Sequence, residues 1–233
     1  MNSLKMPARR VPVSPDQRTP VEVVDPSRAF QEIFRDRKWG GGTHSFSGTG
    51  ANLEQTRVIR TELPKLCAEL GVVRLLDIPC GDFYWMQHTD LTGISYIGAD
   101  IVKEIVDWNE EQFGGANGRK FLNLNLCEDL LPDADLILCR DCLVHLSNDD
   151  VCKALRNNIH RSNARYLLTT TFADRDRNVD IPTGDWRTLD LTLKPFLFPP
   201  PLKVINEGCT LSGNDYADKS LALWRIQDLA SVT

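Results

Sequence analysis

Residues 75–85, Leu-Leu-Asp-Ile-Pro-Cys-Gly-Asp-Phe-Tyr-Trp (LLDIPCGDFYW), run from two leucines onto an acid and then break at Pro79 and Gly81. A short apolar run ended by an acid and a proline- and glycine-bearing turn is what a buried parallel strand shows where it leaves its sheet. The run begins upstream as VVRLLDI (72–78), and SYIGADI (95–101), KFLNLN (120–125), ADLILC (134–139) and RYLLTTT (165–171) repeat its character. Helical patterns fall between and before them, at 26–39, 51–70, 101–113 and 149–160, the last preceded by the N-cap candidates Ser147 and Asn148. Strands alternating with helices predict βαβ units and a sheet covered on both faces. After the fifth strand the alternation stops. A proline-rich loop covers 173–201, and LKVINEG (202–208) and KSLALWRI (219–226) read as two closing strands joined by a hairpin. The fold class expected is α/β, a Rossmann-like doubly wound sheet of seven strands, mostly parallel, with a C-terminal antiparallel hairpin strand.

The chain has 233 residues, 42% of them hydrophobic and 25% charged, enough for one full core, so residues 26–233 are expected to form a single domain. Residues 1–25, rich in Pro, Arg, Val and Ser and without periodicity, are expected to be a flexible tail. A net charge of -5 argues against broad attraction to nucleic acid or anionic membranes, both of which need a concentrated positive field. No apolar run nears the ~18 residues of a membrane span. Seven cysteines without framework spacing, and a basic N-terminus not followed by an apolar stretch, lead us to expect a reduced, cytoplasmic protein.

In a doubly wound sheet, ligands sit beyond the carboxyl ends of the strands, and the first strand-to-helix loop is the usual cradle. The quoted stretch is that loop. A phosphate-binding P-loop would end in Gly-Lys-Ser/Thr, which occurs nowhere here, and a dinucleotide fingerprint would need three glycines where only Gly81 remains. What the loop does have is an acid ending the first strand, Asp77, and another ending the second, Asp100. Such a pair suits a ligand with an ammonium group and a ribose: one carboxylate faces the cation, the other accepts from two hydroxyls. S-adenosylmethionine is such a ligand. Both acids could instead be ordinary strand-end turn formers, but their placement on consecutive strands favours binding.

These segments resemble the class I S-adenosylmethionine-dependent methyltransferases over roughly 53–233. LLDIPCGD is similar to their first motif, YIGADI to their second, and FLNLNLCEDLLPDADLILCRDCLVHL to the adenine-side strand and fourth motif. The resemblance implies S-adenosyl-L-methionine as cofactor, with Asp77, Pro79 and Gly81 around its methionine part and Asp100 and Ile101 at the ribose. It places Asn125 and Leu126 at the adenine, Asn125 near the amino group, and Cys139, Arg140 and Asp141 beside the sulfonium. Pro79 and Phe83 stand where the family has glycines. Pro79 offers no N–H and fixes φ, so the turn must depart in detail from the family's. The Gly/Ser/Thr-rich stretch from Trp39 to Glu54 resembles the family's N-terminal cover, which adds Trp39, Ser47 and Gly48 to the cofactor set.

Two residues are candidates for chemistry. His145 follows the fourth strand at the rim of the crevice, and a neutral histidine there can take a proton from an alcohol acceptor near pH 7. Packing among Leu143, Val144 and Leu146 is the competing reading. Asp141 could orient the imidazole or act as base itself. Between the fifth and sixth strands, where the family inserts substrate-selecting structure, Asp185, Trp186 and Arg187 could receive a polar acceptor, with the indole against a sugar face or ring. The Cys139-x-x-Cys142 pair suits neither zinc, for want of spaced ligands, nor a thioredoxin-like redox site, so no metal is expected. The acceptor expected is a small molecule or glycan, methylated at a sugar-type hydroxyl. The alternative is a non-catalytic nucleoside- or partner-binding protein on the same scaffold. A nicotinamide oxidoreductase is more remote.

Overall fold

The computed structural model describes residues 25–39, 45–213 and 215–229. The tail expected over 1–25 lies, but for Asp25, outside them. Seven strands form one sheet: β1 (Arg74–Asp77), β2 (Ser95–Asp100), β3 (Lys120–Asn123), β4 (Leu136–Cys139), β5 (Tyr166–Phe172), β6 (Lys203–Asn206) and β7 (Lys219–Arg225). Their order is β3-β2-β1-β4-β5-β7-β6. The first five are parallel, and β7 runs antiparallel between β5 and β6.

Continuous apolar runs become strands here because both faces are covered. Leu75 and Leu76, consecutive on β1, enter different cores, as the alternation of side chains across a strand requires. Leu75 packs with Ile59, Leu63 and Leu66 of helix α2 (Arg57–Leu70) and with Val106 of α3 (Lys103–Phe113). Leu76 packs with Val151, from α4 (Asn148–Lys153), and with Leu155 and Ile159 of the π-helical turn that continues it over Ala154–Ile159. A further helix, α1 (Pro26–Arg35), precedes the sheet.

Several helix ends differ from the sequence expectation for local reasons, and α3, expected from residue 101, starts at Lys103. Helix α1 stops at Arg35, and Arg37 adopts a left-handed φ of 52°. The helix expected from residue 51 starts at Arg57, because Asn52 Oδ1 accepts from Gln55 N and Asn52 O accepts from Thr56, closing a turn first. Ser147, not Asn148, caps α4, its Oγ accepting from Asp150 N. The 173–201 segment carries no helix or strand. Among the described residues no helix is long and apolar enough to cross a membrane.

The order reverses between β1 and β4, where the loops after their carboxyl ends part. A crevice opens there for topological reasons alone.

Candidate active site

The loop after β1 builds the floor of that crevice. Gly81 has φ 53°, and a Cβ added to it would lie 2.2 Å from Ser47 Oγ, so only glycine lets the 45–47 segment approach. Phe83 also sits in the left-handed region, at φ 56°, which glycine adopts without strain and other residues do not. Its ring compensates by full burial among Tyr96, Phe113 and Phe121, with centroids 5.0 to 5.3 Å away. Asp82 ties the loop to the N-terminal segment: it accepts from Ser45 Oγ at 3.0 Å and Phe46 N at 2.6 Å, while Asp82 N donates to Ser47 Oγ.

A cavity open to solvent on one side lies over this floor. Asp77 and Asp100 both line it and both are buried. Asp77 accepts a 2.7 Å bond from Tyr96 Oη; Asp100 accepts from Gly81 N and Val102 N, each at 3.0 Å. Burial pushes Asp77 up to about 7 and Asp100 up to about 6, against the pull of those bonds. Pro79, Gly81, Ile101, Asn125 and Leu126 line the same cavity, as do Trp39 and Ser47 from the cover. Asn125 Oδ1 accepts from Cys127 N at 2.9 Å, and its Nδ2 is buried without a partner. The atom left to a ligand is therefore a donor. Gly48 lies behind the wall, against Trp39, and Cys139 is wholly buried beneath it; neither lines the cavity. Cys142 does, in place of Cys139.

Beyond β4 the chain turns through Asp141 at φ 52°, with Asp141 N donating to Thr170 Oγ1. A buried ionic cluster holds this corner. Arg140 makes two bonds to Glu207, at 2.7 and 3.1 Å, one to Gly50 O, and a contact of 3.1 Å to Asp141. Lys219 bridges Asp141 at 2.7 Å and Glu207 at 3.2 Å. Burial alone would raise the Asp141 carboxyl, but Arg140 and Lys219 outweigh it and hold the group far below the usual carboxylate range. A carboxylate so stabilised is a poor proton acceptor.

His145 stands across from it. Its Nδ1 lies 2.8 Å from Asp185 O, a group that can only accept, so Nδ1 carries the proton and Nε2 presents a lone pair. The imidazole is thus oriented by a carbonyl, not by Asp141. Burial lowers its basicity, and the Asp185 carbonyl and Asp141 pull the other way.

The 184–187 segment runs beside 144–145, with Gly184 N donating to His145 O and Arg187 N to Val144 O. Trp186 is 43% exposed and meets Tyr216 and Phe172 edge-on, at 5.0 and 6.1 Å. The Asp185 carboxylate is exposed. Arg187 differs from expectation: its guanidinium is buried, donating to Leu146 O and to Asn148 Oδ1, and braces the wall from behind. Among the described residues no group of three or more His, Cys, Asp or Glu side chains could hold a metal ion.

Sequence reasoning missed Tyr96, Asp82, Glu207 and Lys219. Only Asp82 carried a local signal, as the acid directly after Gly81.

No family model and no curated protein matches the chain. Solved structures do. Magnesium protoporphyrin IX methyltransferase from Synechocystis, with bound S-adenosylmethionine, aligns over 87% of this chain and 97% of its own at a TM-score of 0.57 and 16% identity. The N-methyltransferase NodS from Bradyrhizobium japonicum aligns over 73% and 96%, at 0.54 and 14%. Human N-acetylserotonin methyltransferase aligns over 85% and 66%, at 0.51 and 14%. The likeness at these identities is one of fold.

Proposed function

From the premise that this chain has the class I methyltransferase fold, we propose that it is an S-adenosylmethionine-dependent methyltransferase acting on a hydroxyl of a small molecule or glycan. The observation that carries the proposal is the pair Asp77 and Asp100, buried in one cavity at the carboxyl ends of adjacent strands. Two buried carboxylates at adjacent strand ends and an amide donor without a partner fit an ammonium, a ribose diol and an adenine ring nitrogen. Asp77 would face the ammonium, Asp100 the ribose, and Asn125 Nδ2 the adenine, with Ile101 and Leu126 against its faces.

When bound, the cofactor supplies a methyl group on a cationic sulfur. The protein's part is alignment and a proton acceptor. His145 Nε2 would take the acceptor's hydroxyl proton, leaving the oxygen's electron pair free for the methyl group that the bound cofactor would supply. Asp141, locked to Arg140 and Lys219, keeps a fixed negative charge beside this site and stays unprotonated. We place the acceptor between His145 and the exposed Trp186, with 173–201 as the acceptor-side insertion of a single domain over 26–233.

Calorimetry tests the cofactor directly. S-adenosylmethionine and S-adenosylhomocysteine should bind and NAD should not; binding of NAD alone would sink the proposal. His145→Gln should keep cofactor binding and lose ~10²- to 10⁴-fold in turnover, the usual cost of removing a general base. Undiminished turnover would remove His145 from the chemistry and point to an acceptor needing no base.

A further inference from the structure

His145 has one neighbour whose contact the reaction above does not use. The indole of Trp39 lies on the imidazole, with ring centroids 4.4 Å apart and planes 32° from parallel, and Phe30 of α1 meets the same indole edge-on at 5.8 Å. The other groups acting on the imidazole are the Asp185 carbonyl, the Asp141 carboxylate, and the cations Lys219 and Arg187. Burial and the two cations oppose a charge on the ring; the carbonyl and the carboxylate favour it. A tryptophan face is the best aromatic partner for a cation within about 6 Å, and more so where water is excluded.

We infer that Trp39 is a positioning residue for His145: its indole face holds the imidazole against the Asp185 carbonyl and stabilises the imidazolium formed when the acceptor's proton arrives. The inference rests on His145 being the base. It also joins the N-terminal cover to the chemistry. Helix α1 seats Ala29 and Ile33 over Gly184, where an added Cβ would lie 3.5 and 3.4 Å from them. The same helix thus touches the indole above the base and the segment whose carbonyl orients it.

Fluorination of the indole tests this without changing its shape. The protein is prepared with 5-fluorotryptophan and with 5,7-difluorotryptophan, which drain negative charge from the ring face. The His145 resonance, assigned among the four histidines by its loss in His145→Gln, is titrated by NMR. The pKa of His145 should fall stepwise, by about 0.3 to 1 unit in all, while the other histidines stay put. An unchanged or rising value overturns the inference, because a merely structural role for Trp39 would be blind to fluorine. Trp39→Leu should lower the value and Trp39→Phe should retain most of it; equal behaviour of the two also counts against the inference. Failure of the base reading is seen separately, as full turnover in His145→Gln.

Discussion

A carboxylate buried without an ion-pair partner in contact is an unfavourable arrangement, and Asp77 and Asp100 are two such groups in the cavity. Asp77 and Asp100 are raised to about 7 and about 6, from about 3.9 in an unfolded chain. Because the folded values are the higher ones, the empty protein is favoured by protonation: these groups stabilise it most below about pH 4, and that contribution is lost as pH rises towards 7. A cationic ligand reverses the preference, since an ammonium beside Asp77 favours the charged form. Affinity for S-adenosylhomocysteine should therefore rise as pH climbs from 5.5 to 7.5, and binding at pH 6 should release protons. Calorimetry in buffers of differing ionisation enthalpy measures that release; a null result would mean that neither carboxylate faces the ligand's cation. Phe83 carries a second lesson at this scale. Its backbone holds a left-handed conformation that glycine adopts without strain, and the ring's burial among three aromatics offsets the cost.

Among the elements, β1 and β4 were legible because parallel strands covered on both faces are continuously apolar, as Leu75–Leu76 and LILC are. Helix starts were less so, because side chains such as Asn52 and Ser147 choose them through bonds that periodicity does not record. The 173–201 segment has no period at all, and its role comes from attachment: two backbone bonds and the His145 imidazole tie 184–187 to the end of the β4 loop. Trp186 is thereby left exposed directly after the residue whose carbonyl meets His145 while Arg187 is turned inward, a division that residue type alone could not announce. Trp186→Ala should raise the acceptor KM several-fold and leave S-adenosylhomocysteine affinity unchanged, since the indole lies outside the cavity lining. Equal loss of both in steady-state and calorimetric measurements would make Trp186 a support of the cofactor pocket.

At the scale of the whole molecule, the strand order explains why the far end of the chain reaches the site. Inserting β7 antiparallel between β5 and β6 brings the start of β7 and the end of β6 level with the carboxyl ends of the parallel strands, which delivers Lys219 and Glu207 to Arg140 and Asp141. Sequence separations of 67 and 78 residues hid this cluster, since nothing local to either segment requires the other. Glu207, like Asp141, is shared by both cations, and its side chain is fully buried. Removing it would leave Arg140 and Lys219 facing each other with only Asp141 between them, and uncompensated buried charge costs about 3 to 5 kcal/mol when one partner is deleted. Glu207→Ala should lower the unfolding free energy by about that much in urea titrations. It should also loosen the hold on Gly50 O that Arg140 provides, weakening the cover over the cavity. Glu207→Gln keeps the shape and one acceptor oxygen, and should recover part of the loss. If Glu207→Ala costs less than ~1 kcal/mol, as an exposed pair would, water reaches the cluster and the closing hairpin is not what braces the corner at Asp141.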